Sequence, residues 1–121
     1  MGQSVLVVDD DILILDLVCF ILRKELPRLK LLRADTGLGA VALYKRERPE
    51  FVFLDMKLPD TDGFAVYQTI METGGSPVVF CMSAMLSLAD QKKVVEMGAA
   101  GFFRKPFDPK SLVAALKERI E

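Results

Sequence analysis

Acidic, hydroxyl and amine side chains stand where the apolar runs of this chain stop. Asp9-Asp10-Asp11 follows Ser4 to Val8, Asp55 follows Phe51 to Leu54, Ser83 follows Val78 to Met82, and Lys105 comes shortly after Phe102-Phe103. Read singly, the acids have ordinary explanations: Asp9-Asp10-Asp11 as a helix cap, Asp55 as a solvated loop residue. Brought together they do not, because carboxylates a few Å apart repel and raise one another's pKa, and a cluster with one lysine needs a further cation. An all-oxygen donor set without imidazole or thiolate suits Mg2+ or Mn2+ rather than Zn2+. Mg2+ held by a few carboxylates characteristically completes its shell with phosphate oxygens of a substrate. A carboxylate nucleophile, a metal, a hydroxyl and an amine make up the equipment for phosphoryl transfer by positioning and charge neutralisation. The chain contains no histidine, which removes Ser-His-Asp and Cys-His catalysis, imidazole-based zinc sites and any phosphohistidine donor role.

The elements that must carry these residues follow from periodicity. Ser4 to Val8 reads as a strand buried on both faces, and Ile12 to Leu26 as a helix with a cationic finish, Arg23-Lys24-Glu25, before Pro27. Leu29 to Arg33 is a second strand leading into Ala34-Asp35. Asp35-Thr36-Gly37 opens a helix with apolar positions Leu38, Val41, Ala42 and Tyr44, closed by Pro49. Phe51 to Leu54 is a third strand. The turn-rich loop Met56-Lys57-Leu58-Pro59-Asp60-Thr61-Asp62-Gly63 then leads to a helix over Phe64 to Glu72, punctuated by Gly74-Gly75. Val78 to Met82 is a fourth strand, Ser87 to Met97 a helix closed by Gly98, and Phe102-Phe103 a short fifth strand. Asp108-Pro109 caps a last helix through Leu112, Leu116 and Ile120. Five alternating strand and helix units predict a parallel sheet with helices on both faces, a doubly wound α/β fold. In that architecture a ligand binds beyond the carboxyl ends of the strands, where the strand order reverses. All the polar residues named above fall on that edge.

Composition narrows the setting. The chain has 121 residues, 51% hydrophobic and 27% charged, with net charge -1, which fits one folded domain over residues 1–121 and excludes intrinsic disorder. It lacks the basic footprint that nucleic acid requires. The longest apolar stretch, Ile12 to Leu22, carries Asp16 and is too short to span a bilayer. No signal peptide is evident, and Gly2 lacks the Ser or Thr at position 6 that myristoylation wants, that residue being Leu6, so a cytosolic location is expected. Cys19 and Cys81 lie in apolar runs and read as reduced core residues.

The segments Val7-Val8-Asp9-Asp10-Asp11, Leu54 to Gly63, Met82-Ser83-Ala84 and Phe103-Arg104-Lys105-Pro106-Phe107, in this order and spacing, make the chain resemble a response regulator receiver domain over essentially its whole length. The resemblance implies a flavodoxin-like (βα)5 fold with strand order 2-1-3-4-5 and a cis peptide at Lys105-Pro106. It implies Asp55 as phosphoacceptor and a Mg2+ site built from Asp10, Asp55 and the main-chain carbonyl of Lys57, with Asp9 joining through water. Ser83 and Lys105 would hold the phosphoryl oxygens. Ser83 and Phe102 would form the conformational switch, the ring turning inward as the hydroxyl vacates space. Phe102 lacks a phenolic hydroxyl and is expected to lean inward even without phosphate.

Two departures bear on behaviour. Lys57 aims a cation at the approach of hydrolytic water and Met85 offers no polar group to orient that water, so slow self-dephosphorylation is expected. Gly98-Ala99-Ala100-Gly101 lacks the acidic pair common in members fused to winged-helix DNA-binding domains. Rival readings are weaker. A haloacid dehalogenase type phosphatase needs an Asp where Lys57 stands, and a flavodoxin-like FMN carrier needs a Ser/Thr/Gly loop where three aspartates stand. The complete residue set argues against a degenerate, phosphate-independent receiver. Without histidine, the phosphoryl group must come from a sensor histidine kinase, a histidine phosphotransfer protein or a small acyl phosphate. The last helix shows no terminator such as Gly, which leaves room for a fused effector domain. The first helix is apolar nearly all round. Val18, Ile21 and Leu22 are expected to face the sheet, Leu13, Ile14 and Leu17 to dock the phosphodonor, and Phe20 with Cys19 to cover a loop or a second subunit.

Overall fold

A computed structural model describes residues 3–120. Gly2, weighed above from the sequence, lies outside the described residues. Strands and helices alternate: β1 (Ser4–Val8), α1 (Ile12–Glu25), β2 (Lys30–Ala34), α2 (Gly37–Glu47), β3 (Phe51–Asp55), α3 (Gly63–Glu72), β4 (Val78–Ser83), α4 (Leu88–Glu96), β5 (Gly101–Arg104) and α5 (Pro109–Lys117). The five strands form one parallel sheet in the order β2-β1-β3-β4-β5, the flavodoxin-like arrangement. None of the described helices is long and apolar enough to cross a membrane.

Alternation along the strands divides the core into two layers. Val5, Val7, Phe51, Phe53, Phe80 and Met82 face α1 and α5, while Leu6, Val8, Val52, Leu54, Val79 and Cys81 face α2, α3 and α4. Both faces are covered, so the central strands read as unbroken apolar runs rather than alternating ones. Phe53 and Phe80 stack at 5.0 Å between ring centroids under Phe103. Each helix opens on a side-chain oxygen that accepts from its first turn: Asp11, Thr36, Asp62, Ser87 and Asp108.

The boundaries differ from expectation in places. The third helix starts at Gly63, because Asp62 is its cap. The last helix stops at Lys117 rather than Ile120, where the Leu116 carbonyl accepts from both Arg119 and Ile120 and ends the ladder. The larger correction concerns α1. Its inward face is Leu15, Val18, Cys19 and Leu22, with Ile14 and Ile21 half buried against the same core. Cys19 therefore covers no loop or second subunit. Ile14 shares its surface with the core, which leaves Ile12, Leu13, Leu17 and Phe20 as the exposed apolar residues of the helix.

Candidate functional site

Register alone assembles the site. Val8 pairs with Leu54, so Asp9 and Asp55 come side by side at the carboxyl edge. Asp55 pairs with Met82 and Ser83 with Arg104, which puts Ser83 and Lys105 one step further along the same edge. The chain runs from β1 outward to β2 and then back across to β3, so this is also where the strand order reverses.

The three N-terminal aspartates divide their work. Asp11 is the cap of α1, accepting from the amides of Leu13 and Ile14 at 3.0 and 3.4 Å. Asp9 is fully buried and accepts from the Asp11 amide through Oδ1 at 2.9 Å. Asp10 stays exposed on the rim. The cap reading thus holds for Asp11 and leaves Asp9 and Asp10 for the site. Asp55, only 4% exposed, accepts from the Lys57 amide through Oδ1 at 3.0 Å and from Lys105 Nζ through Oδ2 at 3.0 Å. Lys105 Nζ also lies 2.7 Å from Asp9 Oδ2, off the line a hydrogen bond needs, so that buried oxygen is ion-paired but without a hydrogen-bond partner. The Lys105-Pro106 peptide is cis.

Burial pushes the Asp55 carboxyl up to about 6, and the nearby Asp9 carboxylate adds to the rise. Hydrogen bonds from the Lys57 amide and the Lys105 ammonium work against it. Burial alone would lower Lys105, but the neighbouring Asp9 and Asp55 carboxylates, the first through an ion pair and the second through a hydrogen bond, more than reverse that and hold the ammonium above the ordinary lysine value. Oxygens of Asp9, Asp10 and Asp55 lie within 4.8 Å of one another. Three carboxylates against one ammonium leave surplus negative charge, one oxygen lacks a hydrogen bond, and every donor is oxygen. This set fits a hard divalent cation such as Mg2+.

Above Asp55 opens a pocket of about 230 Å3. Asp10, Asp55, Ser83 and Lys105 supply its polar lining. Lys57, Leu58 and Pro59 form one wall, Ala84 and Met85 the other. The Ser83 hydroxyl accepts from the Met85 amide and donates to the Met85 carbonyl, at 3.3 and 3.1 Å, within the loop after β4.

A family model described as the response regulator receiver domain matches residues 5–117. The chain belongs to the response regulator receiver domain family. It is 33% identical to the "DNA-binding response regulator MtrA" of Mycolicibacterium paratuberculosis, covering 99% of this chain and 52% of that protein. The receiver chain thus spans about half the length of the curated relatives it matches. Among solved structures it is similar to a "response regulator receiver domain protein (CheY-like)" from Methanospirillum hungatei, with 26% identity, TM-score 0.90 and 98% and 94% of the two chains covered. It is also similar to the "BeF3 Activated DrrB Receiver Domain", at 30% identity and TM-score 0.83, over 98% and 97%.

Within this receiver fold, Asp9, Asp10, Asp55, Lys57, Ser83, Met85 and Lys105 come together at one edge. Phe102 stands apart, half buried against the α2–α4 side of the core. Leu13 and Leu17 lie exposed on α1, the helix that leaves the site at Asp11. The pocket walls Leu58, Pro59 and Ala84 received no role from sequence. Their signal was their place inside the quoted segments, next to the charged residues.

Proposed function

We propose that this receiver domain accepts a phosphoryl group on Asp55. The observation that carries the reading is a buried carboxylate at the floor of an open pocket, held by the Lys57 amide and the Lys105 ammonium beside two further aspartates. The Asp55 carboxylate attacks the phosphorus of a phosphohistidine or acyl phosphate. The new bond is an aspartyl O–P bond, the donor's P–N or P–O bond breaks, and the imidazole or carboxylate leaves with the electron pair. Asp10, Asp55 and the Lys57 main-chain carbonyl, with Asp9 through water, would hold Mg2+, which supplies charge neutralisation to the meeting of two anions.

Lys105 and Ser83 take the phosphoryl oxygens. To do so Ser83 gives up its bonds to Met85, and Phe102 turns into the vacated space. That exchange is the switch passed to an output in a further domain or partner. Lys57 and Met85 at the pocket mouth slow hydrolysis, one by its charge and the other by offering water no polar anchor. A sensor histidine kinase or histidine phosphotransfer protein supplies the phosphoryl group and seats its helices on Leu13 and Leu17. In this account the domain catalyses only its own phosphorylation and slow dephosphorylation.

Incubation with acetyl phosphate and Mg2+ should add one phosphoryl group by intact mass. Asp55→Asn or a chelator should abolish the adduct. Equal labelling of wild type and Asp55→Asn would overturn the assignment.

A further inference from the structure

The loop after Asp55 is a small closed hairpin. The Leu58 amide donates to the Thr61 carbonyl at 3.1 Å, Lys57 and Asp62 bridge antiparallel, and the Gly63 amide donates to the Met56 carbonyl at 3.0 Å. Its tip, Pro59-Asp60, is exposed, and a long-range contact ties it down. The Asp60 carboxylate reaches across 22 to 23 residues of sequence to the first turn of α2, accepting from the Gly37 amide at 2.8 Å and the Leu38 amide at 2.9 Å. Those are the first two of the amides that a helix start leaves unpaired. Thr36, the cap of α2, satisfies only Gly39, at 2.9 Å. The same helix end therefore has two caps: one from its own sequence, the other from the loop that carries the wall of the Asp55 pocket.

We propose that Asp60 is a positioning residue, whose carboxylate ties the tip of the hairpin to α2 and so fixes the Lys57 main chain and the Leu58-Pro59 wall beside Asp55. The inference rests on the phosphoacceptor reading above. Gly37 supports it, since a Cβ there would stand 2.3 Å from the Thr61 side chain and 3.3 Å from Asp60 Oδ1, so the missing side chain is what lets the tip dock. The anchor is firm on the α2 side as well. Ala34, three residues before Gly37, accepts from the Asp9 amide at 3.1 Å, so the tether closes a path from β1 through β2 and α2 back to the loop after β3. The two amides hold the Asp60 carboxyl below the usual carboxylate range.

Thr36→Ala is the control that separates positioning from helix stability, because it removes a cap from the same turn without touching the hairpin. The full chain with Asp60→Ala, Asp60→Asn or Thr36→Ala should be compared by amide hydrogen exchange at Lys57 and Leu58, by calorimetric Mg2+ titration and by the lifetime of the acetyl phosphate adduct. Asp60→Ala should speed exchange at both amides, weaken Mg2+ binding on the order of tenfold and shorten the adduct lifetime. Asp60→Asn, which keeps one acceptor oxygen, should fall between. Thr36→Ala should lower the melting temperature yet leave all three readouts at wild type. Equal changes in Thr36→Ala and Asp60→Ala, or none in Asp60→Ala, would overturn the positioning role. Failure of the wild type to label would instead overturn the phosphoacceptor reading.

Discussion

Asp55 is a carboxyl group that the fold holds in a place unfavourable to its charge. Burial raises its pKa from 3.8 to about 6. The native state then binds more protons than the unfolded state between those values, so stability is greatest below the lower value and falls as pH rises through the upper one. The penalty at neutral pH is about 3 kcal/mol at most. Asp55→Asn, which has no proton to lose, should flatten this dependence. Urea unfolding of chelated protein from about pH 4 to about pH 7 should show wild type losing stability relative to Asp55→Asn. Parallel curves would contradict the burial argument. At the mouth of the pocket, Lys57→Asn should shorten the phosphoaspartate lifetime by about fivefold, a barrier change of about 1 kcal/mol, measured by decay of the intact-mass adduct. An unchanged or longer lifetime would remove Lys57 from the account of slow hydrolysis. Residue type and spacing made these positions legible. What they did not convey was the division of labour among Asp9, Asp10 and Asp11, since three identical side chains in a row differ only in direction. That direction is set by where β1 ends and α1 begins.

Helix α1 shows where an element outruns its sequence. With ten of its first eleven residues apolar, any stripe could have faced inward, and the one that does, Leu15, Val18, Cys19 and Leu22, has the i, i+3, i+4, i+7 spacing of one helix face. The expected set Val18, Ile21 and Leu22 shares two residues with that face but centres about 60° round the helix from it, which turned Cys19 outward. Ile14, four residues before Val18 and seven before Ile21, belongs to that same inward stripe and packs on the core, so it could not be wholly available for docking. Leu13 and Leu17 remain one turn apart on the outer face, 80% and 48% exposed. If they seat the phosphodonor, Leu13→Ser with Leu17→Ser should slow transfer from the partner kinase by about tenfold while acetyl phosphate labels the protein at the wild-type rate. Equal losses with both donors would mean that the fold, not the contact, was damaged. The helix starts were legible because capping is local chemistry. The end of α4 was legible as well, at Gly98 with its positive φ, whereas the last turn of α5 was not, because its end is decided by main-chain bonds that no side chain announces.

For the whole molecule, an alternating count of strands and helices gave the architecture, since unbroken apolar strands are what a sheet covered on both faces requires. Strand order is not written in periodicity. It entered through the family resemblance, and the register of β1, β3, β4 and β5 then makes the site a consequence of that order. Neighbouring strands end on neighbouring acids, the hydroxyl and the amine. Tethers between loops, such as that from Asp60 to α2, were invisible because both partners look like ordinary turn residues until the chain closes on itself. Of three adjacent carboxylates, one is proposed to take the phosphoryl group while the other two stay unmodified. Phosphorylating the wild-type protein with acetyl phosphate, trapping the adduct with borohydride and sequencing the peptides by tandem mass spectrometry tests this most directly. Modification confined to Asp55 is predicted, and modification at Asp9 or Asp10 would contradict it.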